Sequence, residues 1–237
     1  MALPRLNNET PHYELTIPST GKKVKYRPFL VKEQKNLLVA LESQDPKNIL
    51  MAVVDCISSC TEDVDTNKLS TFDTDYMFVK IRSKSVGEKS TVNAACDKCE
   101  HQNPIDVNLD DIKMDNVDTN TTIDLSSDIS VQLKYPTYID MTNNERLFSE
   151  QQTATGMLFD TIAMCIESVN TNEERIALKD EPTEEVEAFI NSLNGEQLQK
   201  ITKFVEAMPS LTHKIEYTCE SCGHKNEKVL SGIQDFF

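Results

Sequence analysis

Basic residues are in short supply in this chain. Its 237 residues include 24 Lys and Arg against 39 Asp and Glu, a formal charge of −15. Nucleic-acid binding ordinarily needs a basic face, so this balance argues against that partner. Glycine is scarcer still, six in all and none adjacent, which leaves no glycine-rich loop to cradle a phosphate. No Ser-His-Asp set stands at a recognisable spacing, and there is no His-Glu-x-x-His motif. The abundant carboxylates form acidic turns and solvated faces, as in Thr61-Glu-Asp-Val-Asp65, rather than an isolated pair. These absences make an enzyme the weaker reading and point to no small-molecule substrate. There is no apolar run of membrane-spanning length, and the mixed opening Met1-Ala-Leu-Pro-Arg-Leu-Asn-Asn8 lacks a secretory pattern. We therefore expect an intracellular protein without a transmembrane segment, with room for one large domain or two small ones.

What is present is cysteine in an unusual arrangement. Seven Cys is an odd count, and paired spacings suit a reducing compartment and a metal better than a disulfide framework. The pairs are Cys96-Asp-Lys-Cys99-Glu-His101-Gln-Asn103 and Cys219-Glu-Ser-Cys222-Gly-His224-Lys-Asn226. Random placement of seven Cys over this length would give only about 0.2 such pairs. A Cys-x-x-Cys turn points two thiolates at one place, and two turns together make a tetrahedral four-sulfur site. Cys96, Cys99, Cys219 and Cys222 are thus the expected ligands of a structural Zn2+. Four sulfurs leave no open position for water, so the motif says nothing for catalysis. A thiol redox protein and a nucleic-acid-binding zinc ribbon are the alternatives. The first wants a Cys-x-x-Cys that opens a helix after a strand, whereas these open strands; the second conflicts with the charge.

The flanks alternate as strands do. Thr91-Val-Asn-Ala-Ala95 and Lys214-Ile-Glu-Tyr-Thr218 precede the pairs, and Pro104-Ile-Asp-Val-Asn-Leu109 and Glu227-Lys-Val-Leu230 follow them. Each motif reads as strand, knuckle, strand, and the two together as a zinc-ribbon-like module. Gly223 sits where such a knuckle needs positive φ; Glu100 replaces it in the first copy, so that knuckle is expected to be less regular. His101 and His224, two residues past each pair, are expected to hydrogen-bond a sulfur or the backbone rather than bind metal. Cys56 and Cys165 lie on apolar helix faces and read as core.

A second level of repetition surrounds the knuckles. Lys25-Tyr26-Arg-Pro28 resembles Lys134-Tyr135-Pro136, and Cys56 and Cys165 each follow thirty residues after the tyrosine. A hairpin-like strand pair precedes each, with turns at Pro18-Ser-Thr-Gly21 and Ser126-Ser-Asp128. The pattern implies an internal duplication: a first repeat within residues 1–109, a polar linker at 110–120, and a second repeat within 121–237. Helices are predicted at Val31 to Ser43, at Pro46 to about Cys60 behind an Asp45 cap, and over about Thr74 to Ser83. Their counterparts are predicted near 142–151, 154–168 and 196–207, with an acidic insertion helix over 182–193. The fold class is α+β, with hairpin, three-helix and strand-knuckle-strand units joined by a zinc-ribbon-like module of four cysteines.

Two stretches read as partner surfaces. Lys80-Ile-Arg82-Ser-Lys84-Ser-Val-Gly-Glu-Lys89 is the most basic run, and its plain alternative is cations placed near a helix C-terminus. Ile233-Gln-Asp-Phe-Phe237 ends on two aromatics that either fold back onto the core or dock into another protein.

The segments Tyr13-Glu-Leu-Thr-Ile-Pro-Ser-Thr-Gly21, Lys25-Tyr-Arg-Pro-Phe-Leu-Val-Lys-Glu-Gln-Lys35 and Phe72-Asp-Thr-Asp-Tyr-Met-Phe-Val-Lys-Ile-Arg-Ser-Lys-Ser-Val-Gly-Glu88 carry a resemblance. They are similar to a T4-type bacteriophage family of baseplate hub subunits and hub-assembly proteins. The likeness is densest over residues 10–109; the second half is matched mainly by its knuckle. It implies a non-enzymatic part in building the hub of a contractile tail. The implied partners are other hub and tape-measure proteins, met in the host cytoplasm during assembly or in the virion tail baseplate.

Overall fold

The computed structural model describes residues 10–114, 120–149 and 151–232. The first part of the chain runs β1 (Tyr13–Thr16), β2 (Lys23–Tyr26), α1 (Val31–Ser43), α2 (Pro46–Cys60), α3 (Thr71–Val86), β3 (Lys89–Ala95), β4 (Gln102–Asn108) and β5 (Lys113–Met114). Then come β6 (Thr122–Asp124), β7 (Ile129–Leu133), α4 (Tyr138–Asn143), α5 (Ala154–Cys165), β8 (Ile166–Thr171) and β9 (Arg175–Ala177). Last are α6 (Thr183–Ser192), α7 (Gly195–Glu206), β10 (Leu211–Thr218) and β11 (Lys225–Ser231). Helices and small antiparallel sheets make this an α+β protein. No helix among the described residues is long and apolar enough to cross a membrane.

Two compact units emerge. One gathers the described residues of Met1–Thr66, Phe72–Asp115 and Ser210–Phe237; the other gathers those of Asn67–Thr71 and Asn116–Pro209. Both Cys-x-x-Cys pairs therefore lie in the first unit, because the chain returns to it for β10 and β11.

In the first unit, β1 and β2 form the hairpin expected around Pro18–Gly21. Gly21 takes φ 67° in its turn, and its amide donates to the Ile17 carbonyl at 2.9 Å. Asp45 accepts from the Lys47 amide at 2.9 Å and Pro46 occupies the first turn, so α2 starts where the sequence places it. Its Val53 and Ile57 are wholly buried, as are Met77 and Ile81 of α3. The chain entering α1 is held by one buried carboxylate. Glu33 accepts from the Leu30 amide (2.8 Å) and from Arg27 (3.1 Å), and Arg27 also donates to the Ser59 carbonyl (2.7 Å). Burial works against the Glu33 charge, but the Leu30 amide and Arg27 outweigh it and hold the pKa below its usual 4.5.

The two knuckle hairpins, β3–β4 and β10–β11, share one core. Val92, Ala94 and Val107 of the first join Ile215, Tyr217 and Leu230 of the second, with Val79 of α3 and Leu109, Ile112 and Leu211 among them. Inward and outward residues alternate along β3, as a strand with one buried face requires. The stretch expected as a polar linker is partly built into this core. Ile112 is buried, and Met114 on β5 pairs with Leu211 on β10. A lone buried Ile in an acidic run carries no periodicity, so composition alone hid it.

In the second unit β6–β7–β8–β9 form one antiparallel sheet. Its core runs through Val131 and Leu133 of β7, Ile162 and Cys165 of α5, and Ile201 and Phe204 of α7. Here two expectations fail. The helix expected at 142–151 is a short α4 followed by a 3-10 turn at Glu145–Phe148. The helix expected to reach 168 stops at Cys165, where the chain enters β8 and pairs with both β7 and β9. Ile166 and Val169 fit a helical face as well as a strand, and only the neighbouring strands decide between them.

Candidate metal centre

Each Cys-x-x-Cys pair sits in the turn of its hairpin, and the backbone shapes that turn identically in both. The Cys96 amide donates to the His101 carbonyl at 2.9 Å and the Cys219 amide to the His224 carbonyl at 2.8 Å. The Glu100 and Gly223 amides return to the Cys96 and Cys219 carbonyls, each at 2.9 Å. Glu100 takes φ 58° where Gly223 takes φ 70°. The first knuckle is thus as regular as the second, and a non-glycine residue bears the left-handed strain.

The four sulfurs converge. Cys96 Sγ lies 3.7 Å from Cys222 Sγ and Cys99 Sγ 3.6 Å from Cys219 Sγ, and all four fall within 4.8 Å of one another. All seven cysteines are free thiols. A tetrahedron with Zn–S bonds of about 2.3 Å has S–S edges of about 3.8 Å, so the donor set fits a thiolate-bound metal ion. Cys96 and Cys219 are buried and Cys99 and Cys222 exposed. Burial opposes the Cys96 thiolate, yet the Lys98 and Cys99 amides and the Asn226 side chain bring its pKa down to about 6. Burial likewise opposes the Cys219 thiolate, and the Cys222 and Ser221 amides lower it. The His101 amide favours a Cys99 thiolate, but the crowding sulfurs of Cys222, Cys219 and Cys96 push that thiol up to about 12. Four thiolates stand this close only with a cation among them.

The residues that lock the two knuckles together escaped the sequence reading. Asn226 accepts from the Asp97 amide of the other knuckle at 3.0 Å and donates to its own His224 carbonyl at 3.0 Å. Asn103 does the mirror task, accepting from the Glu220 amide at 2.9 Å and donating to the His101 carbonyl at 2.8 Å. Both side chains are buried. Tyr217 adds a third tie, its hydroxyl donating to the Ala95 carbonyl at 2.8 Å. The signal was available: each Asn stands four residues after the second Cys of its pair. His101 and His224 are both exposed and neither belongs to the sulfur cluster. It is the His101 amide, not its ring, that reaches a sulfur.

The other singled-out residues separate clearly. Cys56 and Cys165 are buried; Cys165 is pushed up to about 12 by burial, and Cys56 is raised by its hydrogen bond with Cys60. Of the basic run, Lys84 is tied to Glu88 (2.7 Å) and Asp110 (3.1 Å), and Lys80 to the Asp110 carbonyl (3.3 Å). Arg82 differs, with a buried Nη1 that has no hydrogen-bond partner among the described residues. The terminal Phe236 and Phe237 lie outside the described residues.

Comparison with known proteins extends over almost the whole chain. A family described as T4 bacteriophage base plate protein matches residues 10–237. The Baseplate hub assembly protein gp26 of Enterobacteria phage T4 is 22% identical over 232 residues, covering 95% of this chain and 97% of that protein. No solved structure matches the chain.

Proposed function

The chain belongs to the T4 bacteriophage base plate protein family, and we propose that it acts without catalysis in assembling the baseplate hub. The family is one of structural and assembly proteins rather than enzymes. The carrying observation is the likeness to a protein named for hub assembly, which runs nearly end to end in both chains. On this reading the protein binds other hub and tape-measure proteins in the host cytoplasm during assembly, either as a transient assembly factor or as a subunit that stays in the virion tail baseplate.

Cys96, Cys99, Cys219 and Cys222 hold a structural Zn2+ in this reading, supported by the S–S distances and the amides directed at the sulfurs. Bound there, the ion supplies a cross-link between the two hairpins and no open coordination position. Asn103, Asn226 and Tyr217 hold the hairpins in register. The internal duplication is part of the same proposal. Its support is the reciprocal Asn pair and the matching knuckle hydrogen bonds, which relate residues about Cys96 to residues about Cys219.

Quantitative mass spectrometry of purified particles and of infected-cell lysate tests the function. A fixed copy number in particles makes the protein a hub subunit; abundance in lysate with absence from particles makes it an assembly factor. Normal hubs formed when its gene is deleted would refute both.

A further inference from the structure

The second unit carries an open groove of about 1070 Å³ that the metal centre does not explain. Two helices line it at helical spacing. α5 contributes Gly156, Phe159, Asp160, Ala163 and Met164; α6 contributes Thr183, Val186, Glu187, Ile190 and Asn191. The i, i+3, i+4, i+7, i+8 pattern means that each helix turns a single face to the groove. The end of α4, the 3-10 turn at Glu145–Phe148, Gln152 and Lys179 complete the lining. An open trough between two helix faces suits a polypeptide segment better than a small molecule, which needs enclosure.

Its chemistry selects the segment. The apolar lining is Phe159, Ala163, Met164, Val186 and Ile190, of which all but Ile190 keep some exposure. The charged lining is Asp140, Glu145, Asp160 and Glu187 against Arg146 and Lys179. Glu184 and Glu185, exposed on the first turn of α6, add to the negative field. Arg146 bridges to Glu187, but the two side chains are 63% and 48% exposed, so this ion pair is weak and exchangeable. The opening between α1 and α2 in the other unit is smaller, about 430 Å³, and Glu33 on its lining is already held by Arg27.

We propose that this groove receives an amphipathic helix of a partner protein, with an apolar stripe flanked by Lys and Arg. The stripe packs on Phe159, Ala163, Met164 and Val186. The flanking cations meet Glu145 and Asp160, and one of them replaces Arg146 on Glu187. The charge complementarity of an acidic rim with basic flanks identifies this occupant. The inference deepens the assembly reading by giving it a docking face, yet a direct binding assay tests it apart from particle assembly.

The experiment uses full-length protein and three labelled peptides of about 18 residues, each about 27 Å long as a helix. The first has a Leu stripe with Lys flanks, the second the same stripe with Glu flanks, and the third the first peptide's composition scrambled to abolish the stripe. Fluorescence anisotropy should show saturable binding of the first peptide alone. Asp160→Lys combined with Glu187→Lys should weaken that binding by about tenfold or more, the effect expected for opposed charges brought into contact. Glu173→Lys combined with Glu174→Lys changes net charge equally on an exposed turn outside the groove and should leave binding within about twofold. No binding of the first peptide would overturn the proposal. So would equal binding of the scrambled peptide, or equal weakening by the two charge-reversed pairs. Any of these three failures leaves the hub-assembly reading to stand or fall on the particle measurements.

Discussion

Removing the Asn226 side chain is the most direct test of how the two knuckles are held. Asn226→Ala deletes the bond accepted from the Asp97 amide and the bond donated to the His224 carbonyl, both 3.0 Å, at a side chain only 5% exposed. Each bond contributes about 1 kcal/mol net, and an inter-hairpin amide left unmatched costs further, so the loss is about 2–3 kcal/mol. At about 1.4 kcal/mol per decade, that multiplies local opening by roughly 30–150-fold. Asn103→Ala should cost more, because Asn103 also donates to the Ala94 carbonyl (3.2 Å) and is 1% exposed. The assay is amide hydrogen exchange at Asp97 and Glu220 in metal-free, reduced protein, with urea melts of the same samples. Asn226→Ala should speed exchange at Asp97 and Asn103→Ala at Glu220. Two compact units can melt separately, so the exchange data localise the effect that a global melt averages. Unchanged exchange in both variants, with chelator present, would refute the idea that these side chains clamp the hairpins independently of metal.

Three further predictions concern the same unit. Cys99→Ser should abolish the zinc measured per chain by elemental analysis and lower the melting temperature; a variant that retains wild-type zinc and stability would remove Cys99 from the ligand set. Glu100→Gly should stabilise the protein by about 1 kcal/mol in urea melts, because it relieves a left-handed conformation at φ 58° without loss of a side-chain bond; destabilisation would show that the Glu100 side chain matters. Glu33 has a folded-state pKa below its unfolded value near 4.5, so its stabilising effect is complete above that value and is lost as pH falls through the folded one. Metal-free wild type should therefore lose stability on acidification below about pH 4.5, and Glu33→Gln should flatten that part of the curve; parallel curves would contradict the assignment.

Legibility in the sequence followed the range of the interaction. The Asp45 cap with Pro46, the 13–26 hairpin and the Cys-x-x-Cys knuckles are specified within a few residues, and each appears where local rules put it. The strand β8 reads as helix in the sequence because its apolar residues satisfy both periods and only its sheet partners choose, whereas at Glu145–Phe148 the Asn144 side chain accepts from the Arg146 amide and starts a separate 3-10 turn. Ile112 and β5 were hidden in an acidic stretch because one apolar residue makes no pattern. The basic run at 80–89 looked like a partner surface, yet Asp110, distant in sequence, engages two of its lysines.

The donor set of the centre is written in the chain itself, since two tight turns with a Cys at each end bring together four thiols that fit a metal ion. So are the acidic charge and the residues that carry the family likeness. Which atoms hold that centre in shape emerges with the packing. Asn226 meets an amide 129 residues away in sequence, and its identity shows no preference for that partner until β3–β4 and β10–β11 are packed on a shared core. The groove between α5 and α6 arises in the same way. Each helix supplies an ordinary amphipathic face, and the acidic trough exists only where the two faces are set side by side. Local chemistry resides in single residues, whereas complementarity between distant elements is a property of their packing.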